Sequence, residues 1–216
     1  HYVAVFSDIS ERKASEERIR YLAQHDALTG LPNRFTLAVH LEHALARAER
    51  AGEKVGLMFI DLDNFKAVND TLGHHIGDLL LCEVARRITG AVRKSDIVAR
   101  IGGDEFVVVL ESARLPSDAG MAAQKIIERL GDAVPVSSNE LHTTPSIGIA
   151  VFPDDGSNSD MLMKNADLAM YHAKSAGRNN YQFYAEHMNQ AAAVRVQMEG
   201  RLRAAMAQRA DHQGTP

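Results

Sequence analysis

A single cysteine, Cys82, stands in 216 residues, so the chain has no intramolecular disulfide and no cysteine-built metal cage, which fits a reducing cytosol. Long hydrophobic runs are missing too. VGLMFI and FVVVL are strand-sized, far below the roughly 20 residues that a membrane span requires, and no part of the chain is expected to cross a bilayer. The opening HYVAVFSDIS has neither a basic stretch nor a long apolar core, so it is not a secretory signal. There is no internal repeat and no low-complexity segment. Excess charge is absent as well: 24 Lys+Arg stand against 28 Asp+Glu, a formal charge of −4. That balance excludes nucleic-acid binding driven by bulk electrostatics but leaves room for a nucleotide at a local site. What is present, 45% hydrophobic and 24% charged residues, suffices for one domain of roughly 150 residues plus a remainder, or for a small pair of domains.

The remainder sits at the two ends. Tyr2, Val3, Val5 and Phe6 alternate as in a strand, and Asp8 and Glu11 have capping-box spacing for a helix start. The helix predicted from there, through SERKASEERIRYLAQ, carries a thin apolar seam of Ile19, Leu22 and Ala23 on a charged rod, which suits helix pairing better than packing into a globule. At the other end a helix is predicted from Glu186 to about Ala210, with Val194, Met198, Leu202 and Met206 each four apart. Neither the opening strand nor the tail stripe has an evident partner, and the chain is expected to be the middle of something longer.

Between them, from about His25 to Tyr184, the signals are those of an α/β domain. Arg34 to Glu49 reads as an amphipathic helix and VGLMFI as a strand apolar on both faces, hence central in a covered sheet. Residues from about Ile76 to Val92 repeat at helical spacing. IVARI and FVVVL, separated by G-G-D-E, predict a hairpin, because glycine allows the positive φ of tight turns. A helix from about Ser117 to Leu130, strands at Val134 to Ser137 and Ser146 to Phe152, a helix from Ser159 to Ala176 stopped by Gly177, and a last strand NYQFY complete the pattern. Pro145 removes a ladder donor, so an edge or irregular strand start is expected there. Cys82, on an apolar helix face, reads as core packing.

Asp61 ends an otherwise apolar strand, where a carboxylate is costly unless paired or bound to a metal; capping the next helix is the structural alternative. Asp104 and Glu105 sit at the hairpin tip, and a hairpin paired beside VGLMFI brings that tip to Asp61. Three acids converging without a basic partner repel one another, which suits a hard divalent cation with oxygen ligands. Gly102 and Gly103 make the turn and let a large ligand approach the backbone. Asp63 to Lys66 lie where a strand turns into a short helix, a place that binds phosphate, and Lys66 adds a point charge. Lys174 and Arg178, four apart, form a second phosphate clamp or simply place favourable charge at a helix C-terminus.

R-I-G-G-D-E-F, with D-x-D-x-F-K-x-x-N-D-x-x-G-H-x-x-G-D about forty residues before it, resembles the GGDEF family of diguanylate cyclases. D-A-L-T-G-L-P-N-R from Asp26, S-I-G-I-A from Ser146 and A-D-L-A-M-Y-H-A-K-S-A-G-R-N from Ala166 extend the resemblance over roughly Asp26 to Tyr184. The opening segment looks like the last strand of a PAS sensor running into a signalling helix, and EHMNQAAAVRVQMEGRLRAAM like the connector and first helix of an EAL phosphodiesterase. The resemblance implies residues 1–24 as the end of a PAS domain and signalling helix, 25–185 as the GGDEF domain and 186–216 as a connector toward an EAL domain. It implies an α/β (α+β) fold: a central, mostly antiparallel five-stranded sheet flanked by helices, like the polymerase palm and class III nucleotidyl cyclases, with a protruding GGDEF hairpin. The location implied is cytoplasmic, whatever membrane tether the parent carries elsewhere.

The activity implied is condensation of two GTP into cyclic di-GMP and two pyrophosphates, in bacterial second-messenger signalling, by a homodimer in which each chain supplies one GTP half-site. By motif position Asp61, the main-chain carbonyl of Leu62, Asp104 and Glu105 would hold Mg²⁺, with Mn²⁺ as the alternative. Asp61, Asp104 and Glu105 are the expected catalytic group, with Glu105 supporting a second metal or deprotonation of the 3′-hydroxyl. Asn64, Phe65, Lys66, Gly102, Gly103, Lys174 and Arg178 are the remaining substrate positions. Asn69 and Asp78 match the guanine-binding positions, with His74 beside them. A carboxylate accepts from both N1–H and the exocyclic amine of guanine, whereas adenine has an acceptor in place of N1–H, so Asp78 is expected to select GTP over ATP. His74 and His75 are no metal pair, since adjacent residues on a helix diverge. Arg93 and Asp96, R-x-x-D five residues before Gly102, match the family's inhibitory site for cyclic di-GMP; the plain alternative is a charged turn. Two other functions remain open: a GTP-binding module that controls a neighbouring EAL domain, and a cyclic di-GMP receptor.

Overall fold

The computed structural model describes residues 18–111, 117–136 and 139–189. The expected strand over residues 2–6, the Asp8–Glu11 box and the stripe from Val194 to Met206 lie outside the described residues. Residues 18–24 are helical (α1). There follow α2 (Arg34–Ala51), β1 (Val55–Leu62), α3 (Phe65–Leu72), α4 (His74–Ala91), β2 (Ile97–Gly102), β3 (Glu105–Leu110), α5 (Ser117–Gly131), β4 (Val134–Val136), β5 (Asn139–Leu141), β6 (Pro145–Phe152), α6 (Ser159–Ser175) and β7 (Asn180–Phe183).

The helices begin and end where the local chemistry allows. Asn33 accepts a hydrogen bond from the Thr36 amide to start α2, and Gly52, at φ 65°, ends it in the left-handed conformation. Asn158 caps α6 in the same way through the Met161 amide. On α2 the buried positions Leu37, Leu41, Ala44, Leu45 and Ala48 recur at three- and four-residue spacing, which turns one stripe to the sheet.

Five strands form a sheet in the order β2-β3-β1-β6-β7, antiparallel except for the parallel β6–β7 pair. β1 is central and buried along its whole length. The two-residue period of a strand divides its side chains between two cores. Met58, Ile60 and Leu62 pack with Leu80, Val84, Ile126 and Leu130 under α4 and α5. Leu57 and Phe59 pack with Leu41, Leu45, Leu162 and Met170 under α2 and α6. Burying one such side chain fully contributes about 1.5–3 kcal/mol, so the two layers together lock the strand order that delivers residues 61–63 to one edge.

Gly148 of β6 lets α6 lie against the sheet backbone to backbone: a Cβ there would collide with the Ala166 carbonyl and the Met170 amide. Of the two placements expected for Pro145, an edge or an irregular strand start, the edge does not hold. Pro145 is the first residue of an interior strand, opposite Leu62. The bond from the Asp63 amide to the Thr144 carbonyl (2.7 Å) sets the bonded pairs at 63–144 and 61–146, so the proline nitrogen points away from β1 and no bond to β1 is lost. The strand expected at Val134 pairs with a three-residue partner, β5, that sequence pattern does not predict; three residues are too few to show alternation. Cys82 is half-buried, its Sγ 3.4 Å from the Leu28 carbonyl.

Candidate active site

The end of β1 and the turn of the β2–β3 hairpin share one edge of the sheet. Asp61 lies opposite Glu105 in one register and opposite Ser146 in the other. Gly103 and Asp104 make the turn between the paired residues Gly102 and Glu105, with an irregularity in the ladder between Arg100 and Gly102. Gly103, at φ 50°, supplies the left-handed conformation that a tight hairpin turn requires. The Leu62 amide donates to the Asp104 carbonyl at 3.3 Å, which turns the Leu62 backbone to the hairpin side.

Asp61, Asp104 and Glu105 are thus gathered at one place, and the energetics show it. Burial pushes the Asp61 carboxyl above the usual range, and repulsion from Asp104 and Asp63 adds to this against the pull of Lys174. Glu105 is raised by burial and by the charges of Asp61, Asp167 and Asp104. The expectation that these acids lack a basic partner is corrected: Lys174 Nζ stands 2.7 Å from Asp61 Oδ1. The cause is the placement of α6, whose last turn carries Lys174. Its long side chain reaches the nearest uncompensated charge.

Asp63, two residues further along the same face as Asp61, is the most enclosed carboxylate of the site. It accepts from Thr144 Oγ1 and Ser146 Oγ, both at 2.7 Å, and from the Asn179 amide at 3.1 Å. Arg178 Nε lies 3.9 Å from it, with the arginine side chain 55% exposed.

The helix pair α3–α4 forms the neighbouring wall. Asn64, at φ 59°, gives α3 no side-chain cap; the Ala67 amide donates to the Asn64 carbonyl at 2.9 Å, and no side-chain oxygen stands between the start of the helix and an anion. Phe65 is buried in the core, and Lys66 is exposed beside it. Gly73 both ends α3 and begins α4. Gly77 then faces Asn69 so closely that a Cβ would run into Asn69 Oδ1. That oxygen is buried without a hydrogen-bond partner, an orphan that a ligand's N–H can satisfy. His74 and Asp78 are exposed on the first turns of α4, Asp78 directly after Gly77.

Arg93 and Asp96 are elsewhere, at the opposite end of the hairpin from its tip. The Arg93 amide donates to Asp96 Oδ2 at 2.8 Å and the Asp96 amide to the Arg93 carbonyl at 3.0 Å, so R-x-x-D closes as a turn. The Arg93 guanidinium reaches Asp118 at 3.4 Å, and both residues, with Asp96 and Lys125, line a cavity of about 210 Å³.

Two contributors escaped the sequence pattern. Arg100 donates to the Gly103 carbonyl at 3.0 and 2.7 Å and to both oxygens of Asp26 at 2.8 and 3.0 Å. It therefore ties the turn to the loop after α1. Burial works against the charge on Asp26, but hydrogen bonds from Thr29 and Arg100 outweigh it and hold the carboxyl below its usual range. The partners are 74 residues apart, a separation no local spacing reveals. Asp63 is the other: expected as the first residue of a phosphate-binding segment, it is instead an enclosed carboxylate taken up by Thr144, Ser146 and Asn179, and the strand period, which puts it on the face of Asp61, was the signal for it.

Among the described residues, no three His, Cys, Asp or Glu side chains are arranged as a ready metal cage. The donor set nevertheless fits a hard divalent cation. It is all oxygen and carries surplus negative charge, and it has drawn in an ammonium group at Asp61, where a cation would sit.

Residues 23–180 match the family described as diguanylate cyclase, GGDEF domain. The bifunctional diguanylate cyclase/cyclic di-GMP phosphodiesterase MucR of Pseudomonas aeruginosa is 49% identical over 91% of the chain, which spans 28% of MucR. The solved GGDEF domain of TpbB from the same organism is 38% identical with a TM-score of 0.77, covering 78% of this chain and 99% of that one. The coiled coil and GGDEF domain of DgcB from Caulobacter crescentus, solved in complex with c-di-GMP, is 29% identical with a TM-score of 0.72, covering 82% and 93%. No helix among the described residues is long and apolar enough to cross a membrane.

Proposed function

The chain belongs to the GGDEF family of diguanylate cyclase domains, and from that premise we propose that its residues 25–185 join two GTP molecules into cyclic di-GMP. The 3′-oxygen of one GTP attacks the α-phosphorus of the other, a phosphoester bond forms and pyrophosphate leaves. The same exchange in the opposite direction closes the ring. Two bonds form, two pyrophosphates depart and two protons are released.

The observation that carries this reading is the register pair Asp61–Glu105, which joins the central strand to the hairpin tip. Asp61, the Leu62 carbonyl, Asp104 and Glu105 would hold Mg²⁺. A cation held there would lower the pKa of the 3′-hydroxyl and offset charge on the leaving pyrophosphate. The uncapped start of α3, with Lys66, Lys174 and Arg178, binds the phosphates. Gly102 and Gly103 leave the turn bare, so the nucleotide can lie against its backbone. Asn69, with its unpartnered oxygen, and Asp78 read the guanine edge, with His74 beside them. Positioning and charge stabilisation do most of the work in such a transfer.

One chain carries one GTP half-site, so activity belongs to a homodimer. Arg93 and Asp96 bind cyclic di-GMP and slow the reaction as product accumulates. The chain spans about a quarter to a third of the first curated relatives it matches, and coupling to a PAS sensor and an EAL domain is part of the proposal.

The test is incubation with Mg²⁺ and GTP followed by chromatography. Cyclic di-GMP should form at a specific activity that rises steeply with protein concentration. GTP binding without product in a dimeric sample would replace this reading with that of a regulatory module. Specific activity that stays constant down to the lowest measurable concentration would remove the dimer.

A further inference from the structure

We propose that Asp63 is a positioning residue: its buried carboxylate ties the turn after α6 to the end of β1 and thereby sets where Arg178 stands over the site. The inference rests on the reading of Arg178 as a phosphate ligand.

The period of the strand puts Asp61 and Asp63 on one face, and the two take different parts of the same neighbour. Asp61 takes Lys174, on the last turn of α6. Asp63 takes the turn beyond it. Its side chain is 2% exposed, and its two oxygens are occupied by the hydroxyls of Thr144 and Ser146 and by the Asn179 amide. The hydroxyls come from the start of β6 and the amide from after α6, so a single carboxylate joins three segments far apart in the chain.

The turn it holds is one that the chain does not adopt unaided. Gly177, Arg178 and Asn179 have φ of 113°, 62° and 48°, three consecutive residues at positive φ of which two are not glycine. Such backbone persists only where its surroundings over-determine it. Here the bracing is the Asn179 amide on Asp63, the Arg178 amide on the Ala173 carbonyl at 3.1 Å, and Asn180 Nδ2 on the carbonyls of Ala173 and Arg178. The backbone of Arg178 is therefore fixed while its side chain is more than half exposed. With Nε 3.9 Å from Asp63, the guanidinium is steered by charge without being consumed by it. A ligand oxygen can still take the outer N–H groups.

The experiment compares Asp63→Asn with the wild-type chain by calorimetric titration, in Mg²⁺, of a non-hydrolysable GTP analogue and of GMP. The variant keeps the shape and removes the charge. The expected result is affinity for the analogue weakened about tenfold, the scale of one hydrogen bond to a charged group, with GMP, which lacks the outer phosphates that Arg178 is read to hold, unaffected. In an Arg178→Ala background the same change should have no further effect on analogue affinity. Equal weakening of both ligands, unchanged analogue affinity, or effects that simply add to those of Arg178→Ala would each overturn the positioning role. A wild-type chain that binds the analogue no tighter than GMP would overturn the phosphate reading of Arg178 itself, and the inference with it. Should Asp63→Asn fail to fold, Thr144→Val removes one prop and leaves the charge. It should then weaken the analogue about twofold to threefold and leave GMP alone, and a loss shared equally by GMP would overturn the proposal.

Discussion

Two clusters of charge, one on the outer side of α4 and one at the end of β1, are built to opposite specifications. On α4, Glu83 meets both Arg86 and Arg87, and the hydrogen bond from Arg86, helped by Arg87, holds its carboxyl down to about 2. Arg87 then reaches on to the carbonyls of Arg129, Asp132 and Ala133 at 2.9, 2.6 and 2.8 Å and closes the end of α5. At the end of β1 the carboxyls of Asp61 and Glu105 are pushed up, and acids outnumber bases. The first cluster is complete as it stands. The second is in deficit, and a deficit of positive charge is what a cation and its nucleotide can fill.

Removing one acid from the deficient cluster should separate activity from stability most widely. Asp104→Ala is expected to lower cyclic di-GMP formation at least about a hundredfold, on the scale of losing a group that stabilises transition-state charge. Its melting temperature should be equal to or above that of the wild type, since a repulsive neighbour of Asp61 has gone. Chromatography and a thermal scan read the two halves, and a large fall in melting temperature would contradict the contrast. The balanced cluster should behave in the reverse sense. Arg87→Ala leaves the carbonyls of Arg129, Asp132 and Ala133 to water and is expected to cost about 1–2 kcal/mol in urea unfolding, with GTP affinity intact at temperatures where the variant is folded.

The sheet core was largely legible from sequence, and the site's wiring was not. β1 announced itself as a central strand because six apolar residues in a row, Val55 to Ile60, leave no polar face, and G-G-D-E announced a hairpin because few other sequences turn so tightly. The ion pair of Lys174 with Asp61 was hidden because it joins residues more than a hundred apart and depends on how deeply α6 sits. Asp63 was hidden by its neighbour: a carboxylate in a D-x-D pattern reads as one more acid until the hydroxyls of Thr144 and Ser146 show that it faces inward.

A subtler test concerns the wall between α3 and α4. Gly77→Ala places a methyl where Asn69 Oδ1 now lies. The side chain can swing away, so the expected cost in stability is small. The orphan acceptor is then displaced, and KM for GTP should rise about tenfold, the discrimination one buried polar contact supplies, with kcat little changed. Steady-state kinetics and a thermal scan check it.

The smallest effect separates the two clusters by sign in their response to pH. Glu83, lowered from 4.5 to about 2, lends stability that is present above 4.5 and lost as pH falls toward 2. Arg86, the principal cause of the shift, is 72% exposed and its pull is screened by solvent, so Glu83→Gln should flatten that acid loss only slightly. Asp61 and Glu105 are raised, so their contribution is fullest below the ordinary carboxylate range and is lost as pH rises through their raised values. Mg²⁺ should accordingly raise the melting temperature more at pH 8 than at pH 5. A shift that is equal at both would mean that the cation does not bind through these groups.

Gly148 sets the height of α6 by the radii of backbone atoms alone, with no bond to tune. A length fixed in this way does not answer to salt, acidity or an effector, so Lys174 and the turn beyond it ride on a part of the machine that has no setting.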